Sequence, residues 1–259
     1  MPYAEINGQR IYFQDTGGDG VPLVLAHGFL MDRTMFDPQI EEFAGAFRVI
    51  TWDQRGFGQT EFDSQPFTYW DSADDCLALL DHLDIDRAVL GGMSQGGFIV
   101  LRAALKAPER VTGLILLGSQ AGTEDPANIA VYQGMIDDWV TNGPSDELAA
   151  VVADIIIAHP GENERWVAKW KARPKELIRE PGRTLLERDD ITDRLGEIGV
   201  PAVVIHGTED TAIPMDRAEA LAAGLPGASE VVKVPGAHAA NLTQPEPVNA
   251  AIGKFLSGL

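Results

Sequence analysis

Short apolar runs rich in β-branched residues recur along this chain, and longer helix-patterned stretches separate them. The runs are Leu23-Val24-Leu25-Ala26, Val49-Ile50-Thr51-Trp52, Ala88-Val89-Leu90, Leu114-Ile115-Leu116-Leu117, Ala202-Val203-Val204-Ile205 and Val231-Val232-Lys233-Val234. Continuous rather than alternating apolar character suits strands covered on both faces, as in a mainly parallel sheet. The helical candidates Asp71 to Leu83, Gln95 to Ala107, Asp216 to Ala223 and Pro247 to Leu256 fall between the runs. This order predicts right-handed βαβ crossovers and an α/β, doubly wound, mainly parallel sheet. The opening differs: Tyr3 to Ile6, then Asn7-Gly8, then Gln9 to Gln14 predicts an antiparallel hairpin at one edge, because Asn-Gly supplies the positive φ of a tight turn.

Between Ser119 and Gly199 the apolar runs give way to helical patterns broken at Pro126, Gly143-Pro144, Pro160-Gly161, Pro174 and Pro181-Gly182. A structureless loop of about 80 residues does not fit a compact domain, so the segment predicts a helical cap inserted after the strand ending near Gly118. Ile129, Tyr132, Ile136, Trp139 and Val140 share one face of its first helix. The expected organisation is a core of residues 1–118 and 200–259 with a cap of residues 119–199, whose last short element, Asp190 to Gly199, joins the helix layer of the sheet.

Composition excludes several function classes. The formal charge is −19, from 39 acidic and 20 basic residues, which argues against nucleic acid or an anionic membrane surface as partner. The one cysteine, Cys76, permits no intrachain disulfide and reads as a small packed side chain. The start lacks a basic and then apolar leader, and no apolar run approaches the ~18 residues of a membrane span. A cytoplasmic protein is expected. Paired cysteines, an H-E-x-x-H motif and metal-spaced carboxylates are all missing from the sequence, so neither metal nor cofactor is implied.

Gly92-Met93-Ser94-Gln95-Gly96 lies directly between the run Ala88 to Leu90 and a helical stretch. A sharp strand-to-helix turn there puts a serine in strained backbone geometry, and glycines two residues to either side allow close chain approach. The pentapeptide alone also fits a plain Gly-rich turn. A serine hydroxyl needs a base, and the base needs a group to fix its tautomer. Asp210 follows the run Ala202 to Ile205, and His238 follows Val231 to Val234, so both stand at the strand-end edge where open α/β sheets build their sites. The order is Ser, Asp, His, with separations of 116 (210−94) and 28 (238−210) residues. Glu124 and Asp125, after the strand ending near Gly118, are the rival acids. The amides of Phe29, behind Gly28, and of Gln95 are the candidate oxyanion donors. His27 and His206 stand at strand ends and read as loop braces. Arg55-Gly56-Phe57-Gly58-Gln59 lacks the strand-to-helix placement of a nucleotide loop and reads as a turn.

These motifs resemble the α/β-hydrolase superfamily over essentially the whole chain. The residues that carry the resemblance are His27-Gly28-Phe29, Asp53-Gln54-Arg55-Gly56-Phe57-Gly58, Gly92 to Gly96, Pro108-Glu109-Arg110-Val111, Gly207-Thr208-Glu209-Asp210 and Gly236-Ala237-His238. Trp52 to Gly56, Leu79 to Ile85 and Gln244-Pro245-Glu246-Pro247 look most like the subgroup of 3-oxoadipate enol-lactonases and related small esterases. The resemblance implies cleavage of a small-molecule ester or lactone by Ser94, His238 and Asp210. A serine at the nucleophile position argues against dehalogenase and epoxide hydrolase chemistry, which use an aspartate there. C–C bond hydrolysis, perhydrolysis and ligand binding on a hydrolase scaffold stay open. Met135, Trp139 and Trp166 are the candidate pocket residues of the cap, although the helical spacing of Trp166 and Trp170 suits packing of the cap on the sheet better. Arg165, Arg173 and Arg183 could bind a substrate carboxylate or simply face solvent.

Overall fold

The computed structural model describes residues 2–259. Its eight-stranded sheet has the order β1-β2-β4-β3-β5-β6-β7-β8. The strands are β1 (Tyr3–Ile6), β2 (Gln9–Asp15), β3 (Val21–Ala26), β4 (Phe47–Trp52), β5 (Ala88–Met93), β6 (Val111–Leu117), β7 (Ala202–Gly207) and β8 (Val232–Val234). The first two form the expected hairpin: Ile6 pairs with Gln9 across a turn in which Asn7 and Gly8 have φ of 48° and 78°. Strand β2 runs antiparallel to β4, and every pairing from β4 to β8 is parallel.

Both faces of the sheet are covered, which is why the strands read as continuous apolar runs. Successive side chains of a strand point to opposite faces. Val24, Leu90, Leu116 and Val204 accordingly belong to one apolar cluster, with side chains of α2 (Tyr69–His82), α3 (Gln95–Lys106) and α8 (Met215–Gly224). Leu23, Leu25, Val89, Ile115 and Ile205 belong to the other, with Phe43 of α1 (Asp37–Phe43) and with Val248, Ile252 and Leu256 of α10 (Pro245–Leu256). Cys76 is fully buried in the first cluster. The short helix α9 (Ala240–Thr243) lies between β8 and α10.

Element ends depart from the sequence pattern for local reasons. Helix α2 starts before Asp71 because Thr68 caps it: the Asp71 amide donates to Thr68 Oγ1 at 3.3 Å, and the Thr68 amide donates to Asp71 Oδ2 at 2.7 Å. Strand β5 continues through Gly91-Gly92, which carry no apolar signal. A β-carbon on Gly91 would lie 2.5 Å from Leu25 Cδ2, so tight packing against β3 chose the residue. Helix α1 and the 3₁₀ turn Arg33–Phe36 before it have no counterpart in the sequence reading.

Between β6 and β7 lie α4 (Pro126–Asn142), α5 (Asp146–Ile156), α6 (Pro160–Ala172) and α7 (Arg179–Leu186). Ile136, Trp139 and Val140 of α4 are buried as their spacing predicts, whereas Ile129 is 36% exposed at the outer end of the helix. After α7, Ile191, Leu195 and Ile198 pack into the cluster that contains α2 and α3. No helix among the described residues is long and apolar enough to cross a membrane.

Candidate active site

The parallel register brings the carboxyl ends of five strands to one edge, since Ala26 pairs with Gly92, Met93 with Leu117, Leu117 with Ile205 and Gly207 with Val234. The residues just beyond those ends are Phe29, Ser94, Gln120, Asp210 and His238. All but Asp210 line one cavity of about 140 Å³.

Ser94 connects β5 to α3 with φ 53° and ψ −115°, a region that bulky residues avoid and that stores strain. Backbone contacts around it leave no room for side chains on the flanking glycines. A β-carbon on Gly92 would lie 2.1 Å from Gly96 C, and one on Gly96 would lie 1.9 Å from Ala26 O. The Ser94 amide donates to Leu117 O at 2.9 Å, and Ser119 Oγ donates to Ser94 O at 2.9 Å, which fixes the turn from two sides. Among the described residues the backbone N–H groups of Phe29 and Gln95 have no acceptor. The Gln95 amide opens helix α3, where the macrodipole favours negative charge.

His238 Nδ1 lies 2.7 Å from Asp210 Oδ2, so the imidazole presents its other nitrogen away from the carboxylate. Asp210 Oδ1 accepts from the amides of Ala212 and Ile213, both at 2.9 Å. Burial alone would raise the Asp210 pKa, but the charge and hydrogen bond of His238 and the Ile213 amide outweigh it and hold the carboxyl below its ordinary range. His206 was legible only as a strand-end brace, yet its Nε2 lies 2.8 Å from Ile213 O and 3.3 Å from Asp210 Oδ2. It thus supports the loop that aims Asp210. Of the rival acids, Glu124 instead faces Arg188, and Asp125 caps α4 by accepting from the Ala127 amide at 2.9 Å.

A buried polar chain ties the Phe29 loop to the serine turn. His27 Nε2 accepts from the Gln54 amide at 3.0 Å, which leaves Nδ1–H to donate to Gly28 O at 2.8 Å. Gln54 Nε2 donates to His27 O at 2.6 Å, and Gln95 Nε2 donates to Gln54 Oε1 at 2.6 Å. Burial drives the His27 pKa down to about 4, outweighing the Gly28 carbonyl, which favours the protonated ring. The turn Arg55 to Gln59 wraps Asp53, whose carboxylate accepts from the Arg33 and Gln59 amides at 2.8 Å. Burial still pushes the Asp53 pKa up to about 6.

Helix α4 roofs the cavity with Tyr132, Met135, Ile136 and Trp139, and α5 adds Val152, Ile155 and Ile156. Met135 and Trp139 therefore line the cavity. Trp166 does not: it is 1% exposed within the apolar packing, Lys169 Nζ sits 4.2 Å over its ring, and it does not line the cavity. Its neighbour Trp170 stacks edge-on against Trp139 and donates from Nε1 to Leu30 O at 2.6 Å. The candidate arginines also find other partners. Arg165 pairs with Glu162 at 3.2 Å, Arg183 with Glu180 at 2.8 Å, and Arg173 donates to Gly56 O. The arginine that does line the cavity is Arg188, together with Gln120 and Glu124. Gln120 could have been found in the sequence, since it lies just past a strand end on the same edge. Arg188 follows an amphipathic helix and reads as surface. Among the described residues no group of three or more His, Cys, Asp or Glu side chains is placed to hold a metal ion.

A family model described as the alpha/beta hydrolase fold matches residues 21–245. The chain belongs to this family. Similar members of the α/β hydrolase family include a thermophilic esterase from Thermogutta terrifontis, 31% identical with a TM-score of 0.89, the match covering 99% of this chain and 97% of the esterase. The enol-lactonase from Burkholderia xenovorans LB400 is 26% identical with a TM-score of 0.91, covering 99% of this chain and 100% of that one. A Rhizobium rhizogenes protein provisionally named carbamate hydrolase RutD is 31% identical over 252 residues, 92% of this chain and 93% of the relative. Esterase and lactonase relatives alike thus share this fold over nearly their full length.

Proposed function

We propose that this protein is a serine hydrolase that cleaves a carboxylic ester or lactone of a small, largely apolar substrate through an acyl-enzyme on Ser94. The observation that carries the reading is the 2.7 Å contact between His238 Nδ1 and Asp210, with His238 and the strained Ser94 lining the same cavity. In this reading Ser94 Oγ attacks the substrate carbonyl carbon while His238 Nε2 takes the hydroxyl proton. Asp210 holds the ring in the required tautomer and stabilises the imidazolium. The carbonyl oxygen, now an anion, is met by the N–H groups of Phe29 and Gln95. The C–O bond to the leaving group then breaks, and His238 passes its proton to the departing oxygen. Water, deprotonated by His238, attacks the acyl carbon and releases the acid with Ser94 restored. The free amides, the pocket of apolar side chains and the esterase and enol-lactonase relatives support this chemistry.

We infer further that residues 119–199 act as a cap whose helices close the acyl or alcohol pocket. Fluorophosphonate labelling tests the central claim. The parent protein should label covalently and Ser94→Ala should not; equal labelling of both would overturn the reading.

A further inference from the structure

Apart from Ser94, His238 and Tyr132, the polar side chains in the cavity wall are Arg188, Gln120 and Glu124, and the proposed acyl transfer uses none of these three. The Arg188 side chain is 1% exposed. Its Nε donates to Gly122 O at 3.0 Å and its Nη1 to Leu185 O at 2.6 Å, so the guanidinium is fixed in place. Its Nη2 lies 3.7 Å from Glu124 Oε2, which is close enough to balance charge and too far for a hydrogen bond. The Phe98 ring lies 4.7 Å from the guanidinium carbon. Gln120 directly follows Ser119, whose hydroxyl bonds the Ser94 carbonyl, and its Oε1 is buried without a hydrogen-bond donor in the protein. Buried polar atoms of this kind rarely stay unsatisfied, because leaving them unpaired is costly.

The unused groups are complementary in kind. Arg188 Nη2 offers N–H donors, while Gln120 Oε1 and Glu124 offer acceptors. A ligand carboxylate would meet a cation already neutralised by Glu124 and would add an unbalanced charge beside it. An alkyl chain would bury all three groups unpaired. A hydroxyl both accepts and donates.

We propose that this polar end of the cavity recognises an uncharged hydroxyl carried by the ester or lactone substrate, accepting from Arg188 Nη2 and donating to Gln120 Oε1. The inference rests on the ester-cleaving reading of the same cavity, and it narrows the substrate class to hydroxylated esters or lactones.

Binding to Ser94→Ala tests the inference without turnover. Methyl ω-hydroxyalkanoates of increasing chain length are titrated calorimetrically beside their ω-methyl and ω-carboxylate counterparts. At the best-fitting length the hydroxyl compound should bind about tenfold more tightly than either counterpart, the scale of one charge-assisted hydrogen bond. Adding Gln120→Leu, which leaves the Arg188 anchors intact, should remove most of that preference. Adding Arg188→Met should remove it too, with circular dichroism reporting whether that variant still folds. Preference for the carboxylate or methyl series, a hydroxyl preference that survives Gln120→Leu, or no binding by any series would overturn the proposal. Fluorophosphonate labelling of the parent separates the two readings: labelled Ser94 without hydroxyl preference defeats this inference alone, and loss of labelling defeats the serine hydrolase reading.

Discussion

The two walls of the cavity are made by opposite means. The sheet-edge wall consists of strand-end loops whose positions are fixed by backbone: two glycines with no room for a side chain, a serine at positive φ, and amides left free at a helix start. The helical wall consists of side chains on α4 and α5, such as Met135, Trp139 and Ile156. In the proposed reading the first wall sets which bond is attacked, and the second sets what fits.

Asp210→Asn should break the sheet-edge wall most severely. The asparagine Oδ1 can still accept from Ala212 and Ile213, so the loop keeps its shape, while its amide faces His238 Nδ1 and enforces the wrong tautomer. In the proposed reading kcat for a p-nitrophenyl ester falls ~10⁴-fold with the melting temperature little changed. A loss below tenfold would remove Asp210 from the machinery.

The second test concerns protons stored beneath the same wall. His27, depressed to about 4, stabilises the fold above its unfolded value of 6.5 and loses that contribution as pH falls through about 4. Asp53, raised to about 6, does the reverse: its contribution is complete below 3.8 and disappears as pH rises through about 6. The two nearly cancel in the parent. Asp53→Asn removes the compensation, so its stability deficit relative to the parent should be smaller at pH 7 than at pH 4 by about 3 kcal/mol, from ~1.4 kcal/mol per pKa unit. Other carboxylates, Asp210 among them, are common to both proteins and drop out of the difference. Urea unfolding at the two pH values measures it, and an equal deficit at both would refute the assignment.

The smallest effect belongs to the helical wall. Met135→Ala should raise KM for an apolar ester severalfold, on the scale of about 1 kcal/mol of lost contact, and leave kcat nearly unchanged. A fall in kcat comparable to that of Asp210→Asn would erase the distinction between the walls.

The same division explains what could be read from the sequence. Strands β3, β4, β6 and β7 were legible because burial on both faces demands unbroken apolar runs, and Ser94, Asp210 and His238 because each follows such a run. The far end of β5 was hidden, since glycines selected for close packing carry no strand signal. Trp166 was misplaced because spacing on a helix tells which residues share a face and not which neighbour that face meets. Arg188 was missed because an arginine after an amphipathic helix looks solvated until the fold places Phe98 and Glu124 beside it. His206 showed its strand-end position but not its contact with Asp210, which depends on how the following loop turns back.

The indole of Trp170 donates to the carbonyl of Leu30, the residue next to Phe29, and Leu30 itself sits at φ 62°. This hydrogen bond works as a latch between roof and floor. Lifting α6 away from the sheet must break it and release the Leu30–Met31 peptide, so opening the chamber and loosening the loop that follows β3 are mechanically the same motion.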